Sequence, residues 1–198
     1  FLVPNGAVTS NLIFSLSVTD NRGASASDSI SIVLLSQVSG RVTFDLVPLD
    51  PSTSGLDYES TRIVSARGVL VELVDSENNL VASTTTDAAG EYSLPAEFSS
   101  EVRVRVSSQM RRADIWDVKV TDNTNGGALY IGQGELFNSG ADDLVRDLHF
   151  ESGWSGDGYG AVRSAAPFAI LDAIYEAKEK FVAVDPSLSF PALEIFWS

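Results

Sequence analysis

The amino-acid sequence predicts a mainly β fold, an antiparallel sandwich followed by a C-terminal α+β segment that contains one long helix. Apolar and polar residues alternate through several runs between residues 1 and 110, which is typical of half-buried antiparallel strands. Turn-forming groups of Asp, Asn, Ser and Gly separate these runs. From residue 165 the apolar spacing changes to three or four residues, which indicates an amphipathic helix.

Residues 1–36 contain two alternating runs, at 12–18 and 28–34, on either side of a turn-forming sequence at 21–23. The string NLIFSLSVTDNRGASASDSISIVL resembles the last two strands of a PKD-like, immunoglobulin-type β-sandwich module of bacterial extracellular proteins. The resemblance implies that residues 1–36 form an incomplete module, since such a sandwich has about seven strands. We expect the strand edges of 1–36 to pack on the rest of the chain or to pair with another protein chain.

Residues 37–110 contain further alternating runs, which predict one compact sandwich over residues 38–108. The side chains predicted to point inward are Val42, Phe44, Val69, Val71, Leu73, Tyr92, Val102, Val104 and Val106. The string GVLVELVDSENNLVASTTTDAAGEYSL resembles the carboxypeptidase regulatory-like family, a transthyretin-like β-sandwich. In the motif of that family, Asp87 is expected to accept backbone N–H bonds across a turn and Gly90 to adopt a positive φ. The chain departs from the family in an insertion at about 48–64.

Residues 111–198 are predicted to form a mixed α+β segment, the start of a further domain. Strands are expected in ADIWDVKVTDN, ALYIGQ and ALEIFW, and a helix at about 165–183, with Ser164 as its N-cap and Pro167 in its first turn. Glu176 and Lys180 are spaced to form an ion pair within that helix. The strings DNTNGGALYIGQG and AAPFAILDAIYEA resemble the segment upstream of the catalytic domain in large secreted bacterial zinc-peptidase-like proteins. No residue here matches the His-Glu-x-x-His helix that binds zinc in such proteins.

The composition excludes several classes of function. The chain has 13 basic and 27 acidic residues, a formal net charge of -14, and this disfavours a phosphate-binding surface for nucleic acid. Cys is absent, so the chain has no disulfide, thiolate metal site or cysteine nucleophile. The longest apolar run is too short for a membrane span, and we expect no membrane insertion.

Few residues suggest a catalytic, metal-binding or ligand-binding role. No catalytic set is recognised, and the only histidine, His149, has no second His at helical spacing, which favours a structural role. Calcium is the one candidate cofactor, because hard cations bind loop carboxylates and amide oxygens. The candidate ligands are Asp122, Asn123, Asn125, Asp142, Asp143 and Asp157. Four aromatic residues could form a sugar-stacking platform, although their irregular spacing favours a role as core anchors: Trp116, Trp154, Tyr159 and Trp197.

Two functions remain open on the sequence. The first is a non-catalytic, extracellular β-module segment of a larger secreted or cell-surface bacterial protein, which acts as a spacer, a stabilising unit or a binding module. The alternative is the N-terminal shoulder of a secreted zinc metallopeptidase whose catalytic residues lie beyond Ser198. In either case the chain itself is expected to have no enzymatic activity.

Overall fold

A computed structural model describes residues 11–140, 142–160 and 162–198 of the chain. Within them the fold is mainly β, with antiparallel sheets and a single helix, which confirms the predicted fold class. The first strands are β1 (Asn11–Thr19), β2 (Ser25–Val33), β3 (Leu35–Leu46), β4 (Leu49–Asp50), β5 (Gly55–Leu56), β6 (Arg62–Ser65), β7 (Val69–Asp75), β8 (Leu80–Thr85) and β9 (Glu91–Glu97). The remaining elements are β10 (Glu101–Arg112), β11 (Trp116–Asp122), β12 (Ala128–Leu129), β13 (Ile131–Gln133), β14 (Phe137–Asn138), β15 (Leu144–Val145), β16 (Leu148–Phe150), α1 (Ala166–Val184) and β17 (Leu193–Trp197).

Two sheets are built around two long central strands. In one sheet β10 pairs with β7 on one side and with β11, β13 and β14 on the other, while β8 extends it beyond β7. In the other sheet β3 pairs with β9 and β6 in antiparallel fashion. Residues from both sheets belong to one hydrophobic core. The nine side chains predicted to point inward are all buried there, which confirms the period-two interpretation.

The turn between β8 and β9 has the predicted local chemistry. The carboxylate of Asp87 accepts hydrogen bonds from the backbone N–H groups of Ala89 and Glu91, at 2.8 and 2.9 Å. Gly90 has a φ of 77°, a conformation that glycine adopts without strain. Tyr92 then lies buried in β9. This turn therefore places an aromatic side chain in the core directly after a sharp change in chain direction.

The segment 111–198 extends both sheets of the sandwich. The boundary predicted near residue 110 falls inside β10, and β11 continues the same sheet. Strand β17 adds to β11 in parallel, and β15 and β16 add to β3 in parallel. The predicted strands in ADIWDVKVTDN and ALEIFW are confirmed as β11 and β17. The division of the chain into three domains stays a prediction.

The helix α1 packs its apolar stripe onto the core. Phe168 and Leu171 are buried, and the Phe168 ring stacks on Phe150 with centroids 3.9 Å apart. Pro167 lies in the first turn and Lys180 pairs with Glu176 at 2.9 Å, both as predicted. The N-cap prediction is wrong. Ala165 occupies that position, and the hydroxyl of Ser164 instead donates to the carbonyl oxygen of Glu151, because the helix start is tied to the end of β16.

The β1–β2 hairpin is the predicted pair of alternating strands. Asp20 accepts backbone N–H bonds from Arg22 and Ala24 across the turn, where Gly23 has a φ of 83°. All hairpin residues of β1 and β2 except Leu12 are exposed. The prediction that the hairpin packs on the rest of the chain is therefore not realised for most of its surface. Pairing with another chain stays a prediction.

The chain between β15 and β16 runs alongside β3, and at Gly40 the two backbones are in close contact. A Cβ atom at Gly40 would collide with the carbonyl oxygen of Arg146 and lie 2.9 Å from the Tyr92 hydroxyl. That hydroxyl donates a hydrogen bond to the same Arg146 carbonyl oxygen. Burial raises the pKa of Tyr92, so this phenol keeps its proton.

We expect Gly40→Ala to lower the free energy of unfolding by about 3 kcal/mol, because the added methyl group forces the two backbones apart. Gly134→Ala is the matched control, since its Cβ would meet nothing closer than the Val104 carbonyl oxygen at 3.9 Å. Urea denaturation followed by circular dichroism measures both. Equal effects of the two substitutions would contradict the close contact at Gly40.

A second prediction concerns Lys178, whose side chain is buried in α1 without a carboxylate partner among the described residues. Lys178 is 7% exposed, its ammonium lies 3.9 Å from the centroid of the Phe190 ring, and burial lowers its pKa. We expect Lys178→Met to raise the urea midpoint at pH 7, because it removes the desolvation of a charge. Lys180→Met, at an exposed ion pair, should change the midpoint little.

The pH dependence supplies an internal check on Lys178. The lowered pKa means that the unfolded chain binds more protons than the folded chain between the two pKa values. The contribution of Lys178 to the free energy of unfolding therefore rises with pH in the alkaline range, up to the ordinary lysine pKa. This rise should be absent in Lys178→Met and present in Lys180→Met, as measured by urea titrations at successive pH values.

Candidate functional site: an aromatic groove

A short loop after β16 presents two aromatic side chains. Trp154 and Tyr159 form an isolated antiparallel bridge, and Ser155 donates to the Gly158 carbonyl oxygen inside it at 3.0 Å. The loop is closed by a 2.7 Å hydrogen bond from the Gly160 N–H to the Gly153 carbonyl oxygen. Gly153 has a φ of 75°, and a Cβ there would collide with the Val162 carbonyl oxygen. The glycines of this loop thus allow a tight hairpin that carries two aromatic residues.

The insertion at 48–64 supplies a third aromatic ring. Tyr58 stacks on Trp154 with ring centroids 4.0 Å apart and 19° between the planes. Its hydroxyl lies 2.7 Å from the hydroxyl of Tyr159, and the two tyrosine rings meet edge to face at 5.7 Å. Tyr58, Trp154 and Tyr159 are called the aromatic cluster below. The hydrogen bond to Tyr58, together with burial, raises the pKa of Tyr159, so that phenol stays protonated at neutral pH.

The insertion is itself held in place by local hydrogen bonds. The Asp57 N–H donates to the Pro48 carbonyl oxygen at 2.9 Å, which closes the short β4–β5 hairpin. The Thr61 hydroxyl donates to the Tyr58 carbonyl oxygen at 2.6 Å. These bonds fix the backbone on both sides of Tyr58. Residues 48–64 therefore hold Tyr58 in place against Trp154.

Asp45 lies beside the aromatic cluster and joins three segments. One carboxylate oxygen accepts a hydrogen bond from Nε2 of His149 at 3.1 Å, and the other accepts the Ser152 N–H at 2.9 Å. Nδ1 of His149 lies 2.9 Å from the Thr43 hydroxyl. Thr43 and Asp45 share one face of β3 because side chains alternate along a strand. Both ring nitrogens of His149 are thus engaged by side chains of β3.

Two cavities meet at Asp45 and Ser152, and together they are called the groove. The larger has a volume of about 520 Å³ and is also lined by His149, Glu151 and Trp154. The smaller cavity has a volume of about 260 Å³ and shares Asp45 and Ser152 with the larger one. Its remaining lining residues are Val47, Leu56, Tyr159, Arg163, Ala165, Ala166, Ala169, Ile170 and Trp197. Arg163 places its guanidinium 5.0 Å from the centroid of the Tyr159 ring.

The structure brings three of the four candidate sugar-stacking residues to the groove. Trp154 and Tyr159 belong to the aromatic cluster, and Trp197 lines the smaller cavity. Trp116 does not join them, because it is 4% exposed and packs edge to face against Tyr175 of α1. Tyr58 and Asp45 were missed by sequence reasoning. Alternation of apolar residues places Asp45 on the outer face of β3 but does not show what lies against it.

The calcium candidates lie in three different turns. Asp122 ends β11, and Asn123 and Asn125 are in the turn that follows, where the Asp122 carboxylate accepts the N–H and hydroxyl of Thr124. These hydrogen bonds lower the pKa of Asp122.

The other candidates are in the segment before β15 and in the aromatic loop, residues 153–160, which carries Trp154 and Tyr159. Asp142 and Asp143 precede β15, and the Asp143 carboxylate accepts the Gln37 N–H at 3.2 Å. Asp157 is exposed in the aromatic loop. The described residues contain no group of three or more His, Cys, Asp or Glu side chains arranged to hold a metal ion. The calcium site stays a prediction.

Comparisons with known proteins give no family for the chain. No protein-family model matches the sequence, and no curated protein matches it significantly. Within the described ranges, none of the helical structure has the length and apolar character needed to cross a membrane. The groove is therefore interpreted from its own geometry.

We expect Asp45→Ala to lower the free energy of unfolding by about 2 kcal/mol, because it leaves the Ser152 N–H and the His149 ring without their acceptor. Asp157→Ala, at an exposed carboxylate of the same region, should change it by less than about 0.5 kcal/mol. Urea denaturation of both variants measures the difference. Equal stability of the two variants would contradict the linking role of Asp45.

Proposed function

We propose that the chain is a non-catalytic β-sandwich module of a larger secreted or cell-surface bacterial protein, in which it stabilises and positions a neighbouring module. The observation that carries this proposal is the apolar face of the β1–β2 hairpin. The strand register places Leu12 opposite Ile32 and Phe14 opposite Ile30, and both pairs lie on that face. Leu16 is 67% exposed there. An apolar face of this kind is typical of a surface that another element covers.

The opposite face of the hairpin is mainly polar, although Ile13 and Val33 also lie on it. It carries serines in both strands, with Ser15 opposite Ser29 and Ser17 opposite Ser27. A two-stranded ribbon gains little stability on its own, and its apolar side needs a second layer. The hairpin therefore has one face that is suited to packing against a second sheet.

The proposed occupant of the apolar face is the apolar face of another β-sheet. Flat alternating faces of two sheets pack about 10 Å apart with interdigitating side chains. The other described residues of this face are apolar, and its one charged residue, Asp28, has its carboxylate bonded to the N–H of Ser29, so the face favours an apolar covering surface. The resemblance of 1–36 to a PKD-like module supports the remaining strands of such a module as this occupant. An extracellular, bacterial setting follows from the same resemblance.

The non-catalytic part of the proposal is supported by the state of His149. Its two ring nitrogens are engaged by Thr43 and Asp45, so this imidazole is used to join β16 to β3. A general base needs a nitrogen within reach of a substrate proton. The geometry of His149 therefore fits a structural role.

Substitution of the apolar face tests the proposal. We expect the full chain to be monomeric and to increase the fluorescence of anilinonaphthalene sulfonate, a probe of exposed apolar surface. The double variant Phe14→Ser/Ile30→Ser should reduce that increase by at least half, because it divides the apolar face at its centre. Thermal unfolding of the sandwich should be unchanged, since the substituted side chains lie outside the common core.

The matched control is Ser15→Thr/Ser29→Thr, a directly opposed pair on the polar face of the same hairpin. It should leave probe fluorescence unchanged. Light scattering at increasing protein concentration identifies the alternative occupant. A dimer that forms in the parent chain and is lost in Phe14→Ser/Ile30→Ser would assign the face to a second copy and overturn the proposed occupant.

A further inference from the structure

We propose that the groove beside the aromatic cluster binds a short chain of neutral sugars. The proposal rests on the groove alone and is independent of the hairpin and its occupant. Trp154 supplies an aromatic wall of the larger cavity, and Glu151 and Ser152 supply polar groups beside it. Trp197 and Arg163 continue the same combination into the smaller cavity. Aromatic walls with a few polar side chains are the usual construction of small-ligand sites.

A sugar ring matches this construction chemically. Its C–H groups form an apolar face that packs on an aromatic ring, while its hydroxyl groups at the edge both donate and accept hydrogen bonds. Glu151 can accept such bonds and Arg163 can donate them. The larger cavity, at about 520 Å³, falls within the size range of small-molecule sites. The second cavity extends the groove beyond one ring, which favours a short chain over a single sugar.

The aromatic platform is built before any ligand arrives. Tyr58 stacks on one face of Trp154 and its hydroxyl is joined to Tyr159. The loop that carries Trp154 and Tyr159 is closed by the Gly160–Gly153 hydrogen bond. Binding therefore requires little ordering of these side chains, and ordering is a main cost of association.

The charges in the groove favour a neutral ligand. Asp45 and Glu151 oppose an anion, and the whole chain has a formal net charge of -14. A cationic ligand is disfavoured for a different reason. The Asp45 carboxylate already accepts hydrogen bonds from His149 and Ser152, and the Arg163 guanidinium lies over the Tyr159 ring, where a cation would otherwise bind. A polyhydroxylated neutral molecule is neither repelled by these carboxylates nor dependent on a free cation site.

Isothermal titration calorimetry with the full chain tests the proposal. The probes are cellohexaose, maltohexaose, xylohexaose and chitohexaose, with tetramethylammonium chloride as a cationic probe. We expect at least one hexasaccharide to bind with a Kd of 1 mM or tighter, and tetramethylammonium not to bind. Trp154→Ala should weaken that sugar at least tenfold. Phe196→Ala, at an exposed aromatic residue of β17 that is outside both cavities, should leave the Kd unchanged.

A second variant separates lost binding from lost folding. Glu151 is exposed, so Glu151→Ala should keep the thermal midpoint of the parent chain and still weaken sugar binding at least threefold. Failure of all four hexasaccharides to bind at 10 mM would overturn the proposal. So would binding that Trp154→Ala and Glu151→Ala both leave unchanged, or binding of tetramethylammonium in place of the sugars.

Discussion

The close contact between β3 and the chain that joins β15 to β16 is the constraint on which the rest of the structure depends. Only a glycine at position 40 lets the Arg146 carbonyl oxygen reach the Tyr92 hydroxyl over the backbone of β3. This contact fixes the register of β15 and β16 against β3, since the Arg146 N–H also donates to the Ser39 carbonyl oxygen at 2.7 Å. It brings a segment more than 100 residues away in sequence into the central sheet. The C-terminal segment is joined to the sandwich at this point.

Strand β3 consequently builds both the core and the groove. Val42 and Phe44 are buried between the sheets, whereas Thr43 and Asp45 alternate with them and contact His149 on the other face. The position of β16 decides where His149 meets this outer face. Any shift of β16 by one residue would replace His149 with an apolar neighbour and leave Asp45 without this donor. The stability of the sandwich and the geometry of the groove are therefore coupled through one strand.

Local patterns in the sequence predict the parts of the fold that depend on local chemistry. Period-two alternation identifies the buried face of β7 and β10, and the turn at Asp87 follows from its neighbours along the chain. The parallel pairing of β16 with β3 has no local signal, because it joins two distant segments. The stack of Tyr58 on Trp154 is hidden for the same reason, although both residue types are visible in the sequence. Candidate aromatic residues could thus be named from the sequence, but the partners that make them a site could not.

The helix α1 completes the coupling between the core and the groove. Its Phe168 ring stacks on Phe150, and the Phe150 ring in turn fills the space where a Cβ of Gly132 would lie. Gly132 is in β13, on the sheet of β10, whereas Phe150 is in β16, on the sheet of β3. The Phe150 ring therefore lies between Gly132 of one sheet and Phe168 of the helix. Ala166 and Ala169, in the first turn of that helix, line the smaller cavity. Because Ala166 and Ala169 carry only methyl groups, they leave open space beside Asp45 in this cavity, and the cavity is therefore a consequence of how the C-terminal segment packs on the sandwich.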